Sequence, residues 1–236
     1  MMKTEKTMKL LGIDTNAKTV KGQDKGYLTA ILYLAPANIS GYEVCPKRTA
    51  GCTEACLYTA GRGAFSNVQK SRIAKTKFYF ENREKFMAQL VLEIQNFIRK
   101  ANKMNLTPVV RLNGTSDIPW ERVPVGSFAN IMEMFPHIQF YDYTKRYNRK
   151  NLPANYHLTF SLAENNLLDA CVALQNNMNV AVVFRTPNFP KVYLTRPVVD
   201  GDESDLRFLD GHQNIVALKA KGRAKKDTTG FVKEIA

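Results

Sequence analysis

Histidine is scarce in this chain, with 3 among 236 residues. His137, His157 and His212 are scattered, and each reads as a surface or packing residue rather than a metal ligand. Long apolar runs are also missing. No segment approaches the roughly 18 apolar residues that a membrane-spanning helix needs, so no membrane partner is expected. The N-terminal MMKTEKTMKLLGID is charged and lacks the apolar stretch of a secretory signal, which makes the cytoplasm the expected location. No internal repeat, low-complexity tract or long linker divides the chain. Acidic residues fall short of basic ones, 21 against 34, leaving a formal net charge of +13 and a pI near 9.6. A basic excess of this kind marks nucleic acid or another anionic ligand as a partner. One local run, Lys219, Lys221, Arg223, Lys225 and Lys226, reads either as such a contact or as a solvated tail.

What is present is a hydrophobic fraction of 44%, enough for a sizeable core, and a set of short apolar runs. Six read as strands: residues 27–34, 108–112, 138–143, 157–162, 180–185 and 215–219. Several are nearly continuous in apolar or aromatic residues, the pattern of parallel strands buried on both faces. A helical stretch over residues 66–103 separates the first two, with Phe86, Leu90, Ile94, Phe97 and Ile98 at helical spacing. Residues 127–135 and 165–177 predict shorter helices. The latter carries Leu167, Leu168, Cys171, Val172 and Leu174 as an apolar stripe, with Cys171 expected to be buried on it. The connection at 144–156 is short for a crossover helix. Residues 186–210 read as a loop with one extra strand at 191–195. Strand and helix alternating in this way predict βαβ units. The expected fold is α/β, a partial (β/α)6 TIM-like barrel forming one domain over 1–236, with an N-terminal extension at 1–26, the barrel at 27–222 and a C-terminal tail at 223–236.

In such folds the chemistry lies on the loops that follow the strands. After the first strand comes Cys45-Pro-Lys-Arg-Thr-Ala-Gly-Cys52-Thr-Glu-Ala-Cys56, a C-x6-C-x3-C motif holding three of the four cysteines. Thiolates are soft ligands for zinc, copper(I) or iron–sulfur clusters. Three thiolates can hold three irons of a cubane and leave the fourth open, whereas a structural zinc site wants four protein ligands. A [4Fe-4S] cluster is therefore the leading expectation for Cys45, Cys52 and Cys56, with zinc and incidental buried cysteines as alternatives. Lys47, Arg48 and Arg62 flank the motif and offset the charge of such a centre, or are simply exposed. Asn113, Gly114, Thr115, Ser116 and Asp117 follow the second strand and serve either a ligand or a helix-capping turn. Asp142, Tyr143 and Lys145 end the third, where Asp142 and Lys145 suit a proton donor or substrate anchor. Ser161, Arg185 and Lys219 stand near the ends of later strands. Asp200, Asp202 and Asp205 lack the order of a calcium loop and read as a solvated acidic loop or as partners for Arg48 or Arg62. Trp120 reads as a packing residue or lid.

A strand, a three-cysteine loop, a helix and further βα units resemble the radical S-adenosylmethionine superfamily. There the cysteine loop follows the first barrel strand, and a glycine-bearing polar segment after the second contacts the amino group of the cofactor. The resemblance implies S-adenosylmethionine as a cofactor, positioned here by Asn113 to Asp117, with Ser161 as the ribose contact, and a reductant as electron donor. The superfamily spacing is C-x3-C-x2-C, so this chain has a longer cysteine loop. A closer resemblance, over nearly the whole length, is to a family of uncharacterised tailed-phage proteins. It rests on CPKRTAGC, CLYTAGRG, RLNGTSDIPW, FYDYTK, AVVF, DGDESDLRFLD and AKGRAKKDTTGFV. Three functions stay open: a radical enzyme, an iron–sulfur protein without S-adenosylmethionine activity that works in redox transfer or nucleic-acid binding, and a zinc-bearing nucleic-acid module.

Overall fold

The computed structural model describes residues 8–14, 16–186 and 188–235; residues 1–7 of the expected N-terminal extension lie outside them. The chain runs β1 Leu11–Ile13, α1 Ala17–Lys21, β2 Tyr27–Leu32, α2 Ala50–Glu54, α3 Ser66–Glu81, α4 Arg83–Lys103, β3 Thr107–Arg111, α5 Ile131–Met134, β4 Gln139–Thr144, β5 Tyr156–Ser161, α6 Leu167–Gln175, β6 Asn179–Phe184, β7 Val192–Tyr193, β8 Arg196–Asp200 and β9 Ile215–Lys219. The nine strands form one sheet in the order β1-β2-β3-β4-β5-β6-β9-β8-β7. From β2 to β9 every pairing is parallel. These six parallel strands are the six expected runs. Short β1 adds an antiparallel edge to β2, and β8 continues the parallel order beyond β9 while pairing antiparallel with β7.

The sheet does not close on itself: β1 and β7 are its two free ends. The expected barrel is thus present only as a mostly parallel open sheet with helices. Its strand faces alternate. Val110, Leu112, Phe140 and Leu158 join the large core with Phe86, Leu90, Ile94 and Phe97 of α4. On the opposite face Val109 and Tyr141 pack with Leu206, Tyr27 and Phe208. Period-two alternation on the strands meets period-3.6 stripes on the helices, which is why both faces of the sheet are covered.

Several expectations change in detail. The helix expected over 66–103 breaks at Asn82, whose φ of −141° and ψ of 56° end α3; its carbonyl then accepts the Phe86 amide at 2.9 Å to start α4. The break lets α3 turn a different face, Arg72, Thr76 and Tyr79, inward. The helix expected at 127–135 shrinks to α5. On α6 the inward residues are Ala170, Ala173 and Leu174, so Cys171 is exposed rather than buried. The larger side chains Leu167, Leu168 and Val172 are exposed as well. The C-terminal residues are not a free tail: Val232 packs with Ala55, Ala220 and Ala224, and Lys233 bridges Phe184 of β6.

Leu90 is fully buried at the centre of α4. Leu90→Ala opens a cavity in the large core and is expected to cost about 2–5 kcal/mol in a urea-unfolding measurement; a loss below about 1 kcal/mol would contradict the packing described.

Candidate metal centre

Because the six central strands run parallel in chain order, their carboxyl ends open on one rim. A cavity of about 330 Å³ lies there. It is lined by Cys45, Cys52 and Cys56, by the whole segment Asn113 to Asp117, and by Lys145 and Ser161. Residues far apart in sequence but expected at one place are thus brought together. All three thiols are free. Among the described residues, no three or more His, Cys, Asp or Glu side chains gather in the way a metal ion's ligand shell requires. The cysteines share a wall of the cavity without forming a preassembled ion site.

The cysteine loop is held from several sides. Thr49 caps α2, its Oγ1 accepting the Cys52 amide at 3.1 Å. Glu164, from the loop after β5, accepts the Thr49 hydroxyl at 2.7 Å and the Gly51 amide at 2.8 Å. Gly51 admits no side chain: a Cβ there would lie 2.1 Å from Thr229 Oγ1 and 2.9 Å from Phe231 Cβ. The C-terminal segment therefore seats directly on the loop. Cys45 Sγ lies 3.7 Å from the Thr115 carbonyl oxygen, which ties the first cysteine to the segment after β3. Glu164 stands where the sequence places a polar rim residue, after the fourth expected strand, whereas Phe231 is not among the expected site residues. Nothing in their local pattern signals a contact that only the strand order creates.

The thiols stand in a poorly hydrated place. Burial above all, with the neighbouring Cys56 and Cys52 thiols adding to it, pushes the Cys45 thiol up to about 12. Burial likewise raises Cys56, while Arg72 and Lys145 draw it back. Without a cation Cys45 and Cys56 are neutral, so metal entry would have to release their protons. Arg72 of α3 is the counterpart. It is 7% exposed, its guanidinium lies 4.6 Å from the Tyr33 ring centre and 5.7 Å from that of Tyr58, and its Nε and Nη1 have no hydrogen-bond partner. None of the ion pairs among the described residues includes it. A buried cation without a carboxylate is costly, and the anion that relieves it fits the thiolate form of the cysteines. The donor set and this unpaired charge fit a soft, anionic thiolate centre.

Most side chains of Asn113 to Asp117 are spent inside the protein. Asn113 Oδ1 accepts from Ser116 Oγ at 2.8 Å, the Ile118 amide at 2.9 Å and Trp120 Nε1 at 3.1 Å. Asp117 accepts the Thr144 hydroxyl at 2.8 Å and the Lys145 amide at 3.0 Å. Thr115 Oγ1 donates to the Leu34 carbonyl. Gly114 is obligatory, since a Cβ would meet Tyr33, Ile31 and the Leu32 carbonyl within 2.6–2.8 Å. The segment is a rigid turn that presents backbone to the cavity. Trp120, fully buried, is part of its packing.

Lys145 Nζ lies in the cavity and donates to Ser161 Oγ at 2.9 Å and to the Ser161 carbonyl at 3.2 Å. Asp142 is not with it. Its carboxylate belongs to the other face of β4, where it accepts the Asn113 amide at 2.7 Å and the Tyr156 hydroxyl at 2.9 Å. Arg185 also stays outside, pairing with Glu234 and donating to the Lys225 and Asp227 carbonyls. The acidic loop is not simply solvated. Asp205 is buried and pairs with Arg111 at 3.0 Å, and Asp202 pairs with Lys18 and Lys221 at 2.7 and 2.9 Å. Arg48 pairs instead with Glu43 at 3.1 Å.

A family model described as gene product 88 matches residues 8–235. The chain belongs to the gene product 88 family. This is a phage-type family, in line with the closer of the two resemblances. No curated protein and no solved structure matches the chain. In this gene product 88 family member no helix among the described residues is long and apolar enough to cross a membrane.

Burial pushes the Asp142 carboxyl up to about 7, against the pull of Arg111, the Asn113 amide and the Tyr156 hydroxyl. The folded chain thus keeps a proton that the unfolded chain gives up near pH 4. The corresponding stability is present in full below that pH and is lost as pH rises to about 7. Urea unfolding of the wild type and Asp142→Asn across this range should show the wild type losing stability relative to the variant. Parallel profiles would contradict the assignment.

Proposed function

We propose that this chain is an iron–sulfur protein whose [4Fe-4S] cluster is held by Cys45, Cys52 and Cys56 at the carboxyl rim of a partial (β/α)6 barrel, and that it acts as a radical enzyme of the S-adenosylmethionine type. The observation that carries the reading is the shared cavity: three free thiols, the rigid turn after the second parallel strand and Lys145 all line it. Soft thiolate ligands suit an iron–sulfur cluster. Arg72 supplies the buried positive charge that thiolate ligands require.

When bound, such a cluster supplies the electron for reductive cleavage of S-adenosylmethionine. The protein's own groups do the rest. The turn from Asn113 to Asp117 offers backbone carbonyls and amides to a ligand beside Cys45, and Gly114 allows its close approach to β2. Ser161 orients Lys145, whose ammonium is the nearest mobile proton donor on that wall. Tyr143, Leu218 and Phe231 supply apolar surface that would exclude water from a reactive intermediate. A reductant is the implied electron-donating partner, and a reducing compartment, the cytoplasm of an infected bacterial host, suits the free thiols.

A second reading has its own support. Asn113, Ser116 and Asp117 have spent their side chains on the turn, and the cysteine loop is longer than the superfamily's. An iron–sulfur protein without S-adenosylmethionine activity, in redox transfer or on nucleic acid, would have the same loop and the same basic charge.

Anaerobic preparation should give a brown protein with iron and acid-labile sulfide in similar amounts. Cys52→Ala should lose that chromophore, and Arg72→Met should lower its iron content while Arg72→Lys restores part of it. Stoichiometric zinc without sulfide, or full absorbance in Cys52→Ala, would sink the ligand assignment. If the cluster is present but S-adenosylmethionine and a strong reductant yield no 5′-deoxyadenosine, the second reading stands instead.

A further inference from the structure

The cavity has an imbalance of charge even with Arg48 of the cysteine loop paired to Glu43. Lys18, Arg48, Arg111, Lys145, Lys219 and Lys221 line it, against the carboxylates of Asp117 and Asp205 alone. Nearby acids only partly offset this. Asp202 is shared by Lys18 and Lys221 and also accepts the Lys219 amide at 2.8 Å, so one carboxylate serves two ammonium groups. Lys145 Nζ is bonded to neutral oxygens of Ser161, and Lys219 has no ion pair among those of the described residues. Concave sites lined by one sign of charge focus potential and concentrate counter-ions.

Arg111 sits deepest. It is 7% exposed, and its guanidinium lies 4.8 Å from the centre of the Tyr143 ring. Asp205 accepts only from its Nη1, at 3.0 and 3.3 Å, and also accepts the Tyr141 hydroxyl at 3.2 Å. The Nε of Arg111 is buried without a partner. Its Nη2 makes no hydrogen bond among those of the described residues and is not sealed off as Nε is, so in a cavity with surplus positive charge it can donate to an acceptor oxygen of a ligand. A volume near 330 Å³ fits a small molecule, since ligand sites span about 300–1,000 Å³.

We infer that the cavity floor binds a small anionic molecule, through a carboxylate or phosphate held by Arg111, Lys145 and Lys219, with its body against Tyr143 and Phe231. This rests on the proposed function for its meaning, as the substrate class of that site, but not for its test. The binding groups belong to β3, β4 and β9 and their loops, not to the cysteine loop.

Calorimetric titration of the full chain tests it, with the protein prepared anaerobically and, separately, stripped of metal by chelator. The probes are inorganic phosphate, citrate and adenosine monophosphate. Saturable one-to-one binding of at least one probe to both preparations is expected, and the tightest probe names the head group. Lys219→Ala, at an exposed position, should weaken binding about tenfold, as loss of one charge-assisted contact does, and Arg111→Gln by more. Lys77→Ala, on the outer face of α3, should leave it unchanged. Absence of saturable binding in both preparations would overturn the inference and leave the cluster reading intact. Equal weakening by Lys219→Ala and Lys77→Ala would overturn it as general surface charge. Tight binding of single-stranded oligonucleotide that none of the small anions displaces would also overturn it, in favour of a nucleic-acid groove. Anaerobically prepared, unstripped protein that binds the anion yet contains neither iron nor acid-labile sulfide would contradict the cluster reading alone.

Discussion

Everything at the rim depends on one constraint, the parallel pairing of β2, β3, β4, β5, β6 and β9 in chain order. A parallel neighbour requires a crossover, so each strand must send its chain back along the outside before the next begins. Every carboxyl end then points the same way, and every loop that leaves one is delivered to the same side. Cys45 to Cys56, Asn113 to Asp117, Lys145 and Glu164 come from four such loops. They line or clamp one cavity because the register leaves them no other place to go.

Around that constraint the protein spends its buried polar groups on rigidity. Asn113 satisfies three donors with one oxygen, and Asp117 fixes the start of the loop after β4. Glu164 joins the cap of α2 to the loop after β5. Each buried group in these sets has partners, as a stable interior demands. Arg146, Arg149 and Arg207 break this rule with unpartnered nitrogens of their own, and so do Arg72 and Arg111. Both are buried guanidinium groups with unpartnered nitrogens, one against the cysteines and one at the cavity floor. What sets these two apart is place: Arg72 acts on Cys56 and Arg111 lines the cavity, and the readings proposed above give each an anion, thiolate in one case and a small ligand in the other.

Much of this was legible in the amino-acid sequence. The six central strands follow from short apolar runs, since parallel strands buried on both faces carry a strong signal. The stripe of α4 follows from its period, and the gathering of the cysteines with Asn113 to Asp117 follows from the rule for loops after parallel strands. Less was legible where tertiary contact overrides local pattern. Leu167, Leu168, Cys171 and Val172 mark an apolar stripe on α6, yet Ala170, Ala173 and Leu174 are the residues that pack inward, a choice that local hydrophobicity does not encode. Asp142 sits on a strand, where a shift of one residue decides which side of the sheet a side chain meets; it went to the helix-covered side and Tyr143 to the cavity. The pairing of Arg111 with Asp205 joins positions 94 apart in sequence, and the seating of Phe231 beside Gly51 joins opposite ends of the chain. No local motif encodes either one.

The central claim is that Cys45, Cys52 and Cys56 bind one polynuclear iron centre. X-ray absorption at the iron edge of anaerobically prepared protein tests it most directly. The account predicts a sulfur-dominated first shell together with the short iron–iron scattering of a cluster. Iron in an oxygen and nitrogen shell without iron–iron scattering, or a metal signal at the zinc edge alone, would contradict it.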